Sequence, residues 1–405
     1  MVTLGSLEGG KGNFVDGPFG SNLKSSEYTQ TGVPLIQLKN IKPNKYITKD
    51  LKYVSQEKAD SISRHSYKAG DVCISKLGAV GTACIIPVGA PDGIIVADVV
   101  RFRGDKSKID YNYFCHYLNS SIGQRRVLQL SRGSTRIRTN LTDLKKVQIP
   151  LPYPDDPEKS LKEQKRIAAI LDKADGIRRK RQQAIQLADD FLRSVFLDMF
   201  GDPVTNPKGF KKAPITELAN VITGFAFKSA EYINNSKDAV RLCRGTNTLT
   251  GYLDWSDTAF WPKNKLDKLK EYLIRPKDII LAMDRPWISS GLKVCIFPEG
   301  QRDTYLVQRV TRLRPHDEIY TDYLYSCIKS QAFEKHCCPT ETTVPHISPV
   351  ELKNFEVLIP DVVLIDKYHS VVSRIKCNLE RMEIGFSHSK VVFASLSQKA
   401  FKGEL

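Results

Sequence analysis

Arginines interleaved with small hydroxyls are the most chemically loaded pattern in this sequence. Between Ser131 and Asn140 stand Arg132, Ser134, Thr135, Arg136, Arg138 and Asn140. Guanidinium forks fit guanine edges and phosphate oxygens, and hydroxyls and amides serve the same acceptors, so this segment is a candidate DNA contact. A second segment, Thr340 to His346, offers Thr342, Thr343 and His346. Lys76 in Ser75-Lys76-Leu77-Gly78, Arg285 and Trp287 in Ala282–Trp287, and Ser21, Asn22 and Lys24 against Lys228 complete the candidate DNA-binding set. A solvated loop cation is the ordinary explanation for any one of them; the set as a whole favours DNA.

Other chemistries are poorly supplied. Gly5-Ser6-Leu7-Glu8-Gly9-Gly10-Lys11-Gly12 nearly fits a phosphate loop, but ends in Gly where a hydroxyl must reach Mg²⁺. Ser21-Asn22-Leu23-Lys24 fits Ser-x-x-Lys without its companion motifs. Asn206-Pro207-Lys208-Gly209 lacks the aromatic that would stack on a flipped adenine. His336, Cys337 and Cys338 with His346 match no zinc spacing. No catalytic residue, metal site or cofactor is therefore assigned. Nine cysteines with no Cys-x-x-Cys pair point to reduced thiols in a cytoplasm. No membrane span and no secretory signal are expected. The net charge of +16 favours a polyanionic partner, without by itself separating DNA from RNA or an acidic protein.

The elements that must position these residues occur twice. Lys24-Ser25-Ser26-Glu27-Tyr28 returns as Lys228-Ser229-Ala230-Glu231-Tyr232, Gly70-Asp71-Val72 as Lys277-Asp278-Ile279, and Cys84-Ile85-Ile86-Pro87 as Cys295-Ile296-Phe297-Pro298. The Ser131–Asn140 segment thereby pairs with Thr340–His346, and Ser75–Gly78 with Ala282–Trp287. Paired segments with different residues predict two different half-sites, hence a non-palindromic target. Short apolar runs predict strands at Pro34–Leu38, Val72–Ser75, Ala83–Pro87, Ile94–Phe102 and Val147–Leu151, and again at Val240–Cys243, Asp278–Ala282, Val294–Pro298 and Leu306–Leu313.

After three prolines between Pro152 and Pro157, the stretch Glu158–Phe200 predicts a helix of about 40 residues, roughly 60 Å long. Its apolar seam includes Ile170, Ile177, Ala184 and Phe191; a second long helix follows Pro360 with Val372, Leu379, Phe386 and Phe393. Two such stripes most simply pair with each other. Arg178-Arg179-Lys180-Arg181 adds a basic run whose Arg181 falls on the seam. The expected class is α+β: mixed α/β globules at 1–156 and 203–361, long helices at 157–202 and 362–405, the helices forming an antiparallel coiled coil with a pseudo-two-fold.

These residues also carry a resemblance. Gly17-Pro18-Phe19-Gly20-Ser21-Asn22-Leu23-Lys24, Glu163-Gln164-Lys165-Arg166-Ile167-Ala168, Leu171-Asp172-Lys173-Ala174-Asp175, Leu197-Asp198-Met199-Phe200-Gly201-Asp202-Pro203 and Gln398–Leu405 are similar to segments of the specificity (S) subunits of type I restriction–modification systems. The second long helix departs at its start, with Asp366-Lys367-Tyr368-His369-Ser370 where the first has Glu-Gln-Lys-Arg-Ile. The resemblance implies two target-recognition domains that each bind half of a bipartite double-stranded DNA site, with the coil fixing their spacing. It implies a non-catalytic subunit in a prokaryotic cytoplasm. Two modification subunits would dock on the helices with S-adenosylmethionine, and restriction subunits with ATP and Mg²⁺ would translocate and cut. The alternatives are a coiled-coil adaptor, or a single-chain DNA methyltransferase or nuclease with an unrecognised active site.

Overall fold

The computed structural model describes residues 1–133, 136–337 and 346–405. Its contacts divide the chain into two units, Met1–Gln183 with Glu383–Leu405, and Ala184–Met382. Each boundary falls inside a long helix, so each unit contains a stretch of both helices.

In the first unit an antiparallel sheet runs in the order Phe14–Asp16, Val99–Phe102, Val72–Ser75, Ala83–Ile85. Every residue of Val72–Ser75 and Val99–Phe102 is buried, because both faces are covered. Val72, Ile74, Val100 and Phe102 pack toward the helices Tyr111–Asn119 and Ser121–Gln129. Cys73, Cys84 and Val99 face the other way, onto Ile36 and Ile95 of a second sheet. That two-residue alternation is why the sequence reads as uninterrupted apolar runs. The second sheet is mixed, ordered Lys52–Val54, Val33–Ile36, Gly93–Ile95, Ser66–Tyr67, with its middle pair parallel. The predicted run Ile94–Phe102 is thus two strands, one in each sheet.

The second unit repeats the plan. Ala219–Thr223, Val310–Pro315, Ile279–Ala282 and Val294–Ile296 form the antiparallel sheet in the same order, backed by Thr321–Ile328 and Gln331–Cys337. Leu306–Leu313 likewise splits, into Thr304–Leu306 and Val310–Pro315. The repeat extends to buried charge. Asp71 receives both arms of Arg103 at 2.7 and 2.8 Å, and Asp278 both arms of Arg314 at 2.7 Å. Each carboxylate also accepts the backbone N–H of the residue three before it, closing the turn that opens its strand. Arg101 and Arg312, on corresponding strands, are buried as well; burial, then the Arg314 charge, pulls Arg312 down to about 10.

The first long helix spans Pro157–Phe200 and the second Val362–Lys402. Asp156 and Asp361 cap their N-termini through the backbone N–H of Lys159 and Leu364, and Pro157 adds a pre-set first turn. Gly201 and Gly403, with φ of 78° and 79°, close the C-termini. The helices pair antiparallel. In the first unit the Arg166 guanidinium donates to the Leu405 carbonyl at 2.9 Å, and Arg178 lies 5.5 Å from the Phe393 ring. In the second, Phe200 meets Tyr368 at 5.1 Å and Tyr323 at 4.8 Å. Each helix therefore ends in the core of the globule it does not follow: Phe200 there, and Phe401 against Tyr113 and Tyr117.

The seam of the second helix lies where its apolar spacing puts it, with Val372 buried and Leu379, Phe386 and Phe393 half-buried. The first helix differs. Ile170 and Ala184 are half-buried, but Ile177 and Phe191 are 44% and 56% exposed. The inward face instead runs through Gln164, Ala168, Leu171, Asp175 and Phe196. Apolar counting misplaces it because part of that face is polar: Asp175 is buried and bonded to Arg178 and Arg179 at 2.5 and 2.6 Å. Arg181 donates to the Gly385 carbonyl, tying the two helices within the first unit. No helix among the described residues is long and apolar enough to cross a membrane.

Candidate nucleic-acid interface

The candidate segments converge at one edge of each antiparallel sheet. In the first unit the chain leaving Val72–Ser75 is clamped from two sides. The Lys76 N–H donates to the Asp98 carbonyl at 2.8 Å, and the Thr139 N–H to the Lys76 carbonyl at 2.9 Å. Arg132 and Arg138 exchange a pair of 2.8 Å backbone bonds. This narrow ladder holds Arg132, Arg136 and Arg138 exposed at one rim. The Arg138 guanidinium is steered by Asp98 at 2.5 Å. Ser21, Asn22 and Lys24 are exposed on the loop after Gly17. Only glycine fits there, since a Cβ would lie 1.9 Å from the Val96 carbonyl oxygen.

The second unit builds the same frame. The Met283 N–H donates to the Arg309 carbonyl at 2.9 Å, and the Ile347 N–H to the Met283 carbonyl at 3.0 Å. Leu77 bridges Arg138, and Asp284 bridges His346. Gly224 takes the place of Gly17, its Cβ position 2.3 Å from the Val307 oxygen. These bonds make Asp98 and Arg309 equivalent, and Arg138 and His346 equivalent. The frame is conserved between the units while its charges are not. Asp98 holds Arg138 in one; in the other Asp284 holds Arg309 at 2.7 Å and His346 at 2.6 Å. Burial raises the Asp284 carboxyl, but the hydrogen bonds from Arg309 and His346 outweigh it and hold the group below the usual range. Arg285 and Arg309 have φ of 44° and 66°, a left-handed backbone that costs non-glycine residues energy and gathers at working sites.

Not every candidate is free to meet a ligand. Lys76 is buried and paired with Asp16 at 2.7 Å. Asn140 caps the helix Leu141–Lys146 through the Asp143 N–H at 2.8 Å. Trp287 is half-buried against the core, in a hairpin with Gly291–Leu292. Arg285 and Lys228 are exposed. Ser134, Thr135, Thr342 and Thr343 lie outside the described residues, as does Cys338. The His336 Nε2 meets the Glu351 carbonyl at 2.9 Å, and no group of three or more His, Cys, Asp or Glu side chains that could hold a metal ion occurs among the described residues. In the basic run, Arg178, Arg179 and Arg181 are all engaged by protein acceptors, leaving Lys180 exposed. Sequence reasoning missed Asp98, Asp284 and Arg309. Aligning Val96-Ala97-Asp98-Val99 with Val307-Gln308-Arg309-Val310 would have found two of them.

Known proteins resemble this chain over most of its length. A family model described as type I restriction modification DNA specificity domain matches twice, over residues 20–187 and 207–367. The chain is 28% identical over 153 residues to the type I restriction enzyme EcoAI specificity subunit of Escherichia coli, covering 37% of this chain and 26% of that protein. It is 23% identical over 299 residues to the MjaVIII specificity subunit of Methanocaldococcus jannaschii, covering 70% of this chain and 67% of that one. The fold matches the type I S subunit from M. genitalium with a TM-score of 0.57 at 15% identity, over 98% of this chain and 95% of the other.

Proposed function

Because this chain belongs to the family of type I restriction–modification DNA specificity domains, we propose that it is a sequence-specific DNA-binding specificity subunit reading a bipartite, asymmetric double-stranded site. Each globule takes one half through the loop edge of its antiparallel sheet, and the long helices set the separation of the halves. One observation carries this reading: two structurally equivalent loop clusters present different side chains, Arg138 with Asp98 in one and His346 with Asp284 and Arg309 in the other. Arg132, Arg136 and Arg138 suit guanine edges or phosphates; His346 and Arg309, fixed by a shared carboxylate, are a different set of donors.

The chain itself supplies positioning, not catalysis. Modification subunits with S-adenosylmethionine and restriction subunits with ATP and Mg²⁺ would bring the chemistry. Apolar side chains left on the outside of the long helices support docking of such partners: Ile177, Ile384 and Val391 in the first unit, Leu187, Phe191 and Val363 in the second. The decisive experiment is a methylome of the host with and without this chain. Loss of modification at one bipartite, non-palindromic motif is the expected result; an unchanged methylome, or stoichiometric S-adenosylmethionine binding by the isolated chain, would overturn it.

A further inference from the structure

The second unit holds a cavity of about 380 Å³ beside its loop cluster, within the size range of small-molecule sites. Phe225 and Trp261 line it, with Lys228, Lys265, Lys268 and Asn264 at its polar side. Phe225 belongs to the turn after Gly224, and its carbonyl accepts the Gln308 N–H at 2.8 Å. The cavity thus adjoins the segment that carries Arg309. Trp261 is almost fully buried; its indole Nε1–H, closed off from solvent, has no hydrogen-bond partner among the described residues. Lys265 is committed to Glu231 at 2.7 Å, whereas Lys268 makes no ion pair among the described residues and is exposed.

The first unit lacks these walls. The strand pairs place Val33 opposite Val54 and Val240 opposite Trp261, so Val54 stands where the second unit has Trp261. Leu23 stands where it has Phe227, whose ring meets Trp261 edge-on at 5.0 Å. Aromatic walls and loose ammonium groups at the rim together match one ligand class: a planar heterocycle attached to a phosphodiester. We propose that this cavity receives an unpaired nucleobase, displaced from the DNA held by the adjoining loops. It rests on the DNA-binding reading above and adds an asymmetry between the half-sites: only the second unit captures a base outside the stack. Phe225 and Trp261 supply the apolar walls, Asn264 meets the base edge, and Lys228 and Lys268 meet the flanking phosphates.

The test uses the full chain and two duplexes, one fully paired and one with a single bulged 2-aminopurine. The bulged duplex is expected to bind more tightly, and its 2-aminopurine emission to fall on binding as the base stacks. Phe225→Ala, at an exposed position, is expected to weaken bulged-duplex binding on the order of tenfold and to restore emission, with paired-duplex binding unchanged. Emission that stays bright at saturation, or a quench that Phe225→Ala leaves in place, overturns the cavity assignment while paired-duplex binding stands. Failure of both duplexes to bind overturns the DNA reading itself.

Discussion

A salt bridge at a reading loop does two jobs: it lowers the entropy of a long side chain and fixes which of its donors face outward. Asp98 does this for Arg138, and Asp284 for both Arg309 and His346. Replacing Arg136 or Arg138 by Ala is expected to weaken recognition at one half-site by about 1–3 kcal/mol where a base contact is lost. Binding-site selection on the variants checks this, and equal relaxation of both halves would contradict it. Asp284 gives a pH test. Its carboxyl is depressed in the folded protein, so its contribution is complete above the ordinary aspartate value and lost as pH falls through the lower folded value. The stability difference between wild type and Asp284→Asn should hold from neutral pH down to about 4 and close only below that. A difference that closes already near pH 6 would contradict the depressed carboxyl. The arginines were visible in the sequence because charge clusters locally; their carboxylate partners were not, since each lies far along the chain and only the sheet edge brings it close.

Among elements, the strands and long helices were largely legible because burial on both faces writes unbroken apolar runs and capped helices write Asp-Pro and Gly punctuation. The seam of the first long helix was less so. Its inward face carries Gln164, Asp175 and Arg178, which apolar counting skips, while Phe191 points outward. The consequence is measurable. Phe191→Asp is expected to change stability by less than about 0.5 kcal/mol, as an exposed substitution does, and to impair partner docking instead. Phe196→Ala, in the core beside Phe200 and Tyr323, should cost about 3–5 kcal/mol. Denaturant unfolding of both variants separates the two cases; a large loss for Phe191→Asp would return that residue to the seam. The twin buried pairs belong to the same scale. Asp71→Ala or Asp278→Ala leaves a half-buried guanidinium unpaired and an open turn, an expected loss of about 1–3 kcal/mol by the same measurement.

Across the whole molecule, the +16 charge overstates what is available to a polyanion. Arg101, Arg103, Arg178, Arg179, Arg181, Arg241, Arg312 and Arg314 are spent on internal carbonyls, carboxylates and side-chain oxygens. What remains at the loop edges is a smaller group led by Arg132, Arg136, Arg285 and Arg309, joined by Lys24, Lys228 and Lys268. Phosphate neutralisation by a group of that size releases a comparable number of counterions, so duplex affinity should fall on the order of 10³-fold between about 50 and 200 mM salt. Removing one phosphate-contacting cation should lower the logarithmic salt slope by about 1, while removing a base-contacting one changes sequence preference more than slope. Titrations of Arg132→Ala, Arg136→Ala and Lys228→Ala across that range sort these residues into positioning and reading groups. Affinity indifferent to salt would mean that the loop edges do not meet phosphates, and the exposed apolar faces of the long helices would then be the chain's principal binding surface.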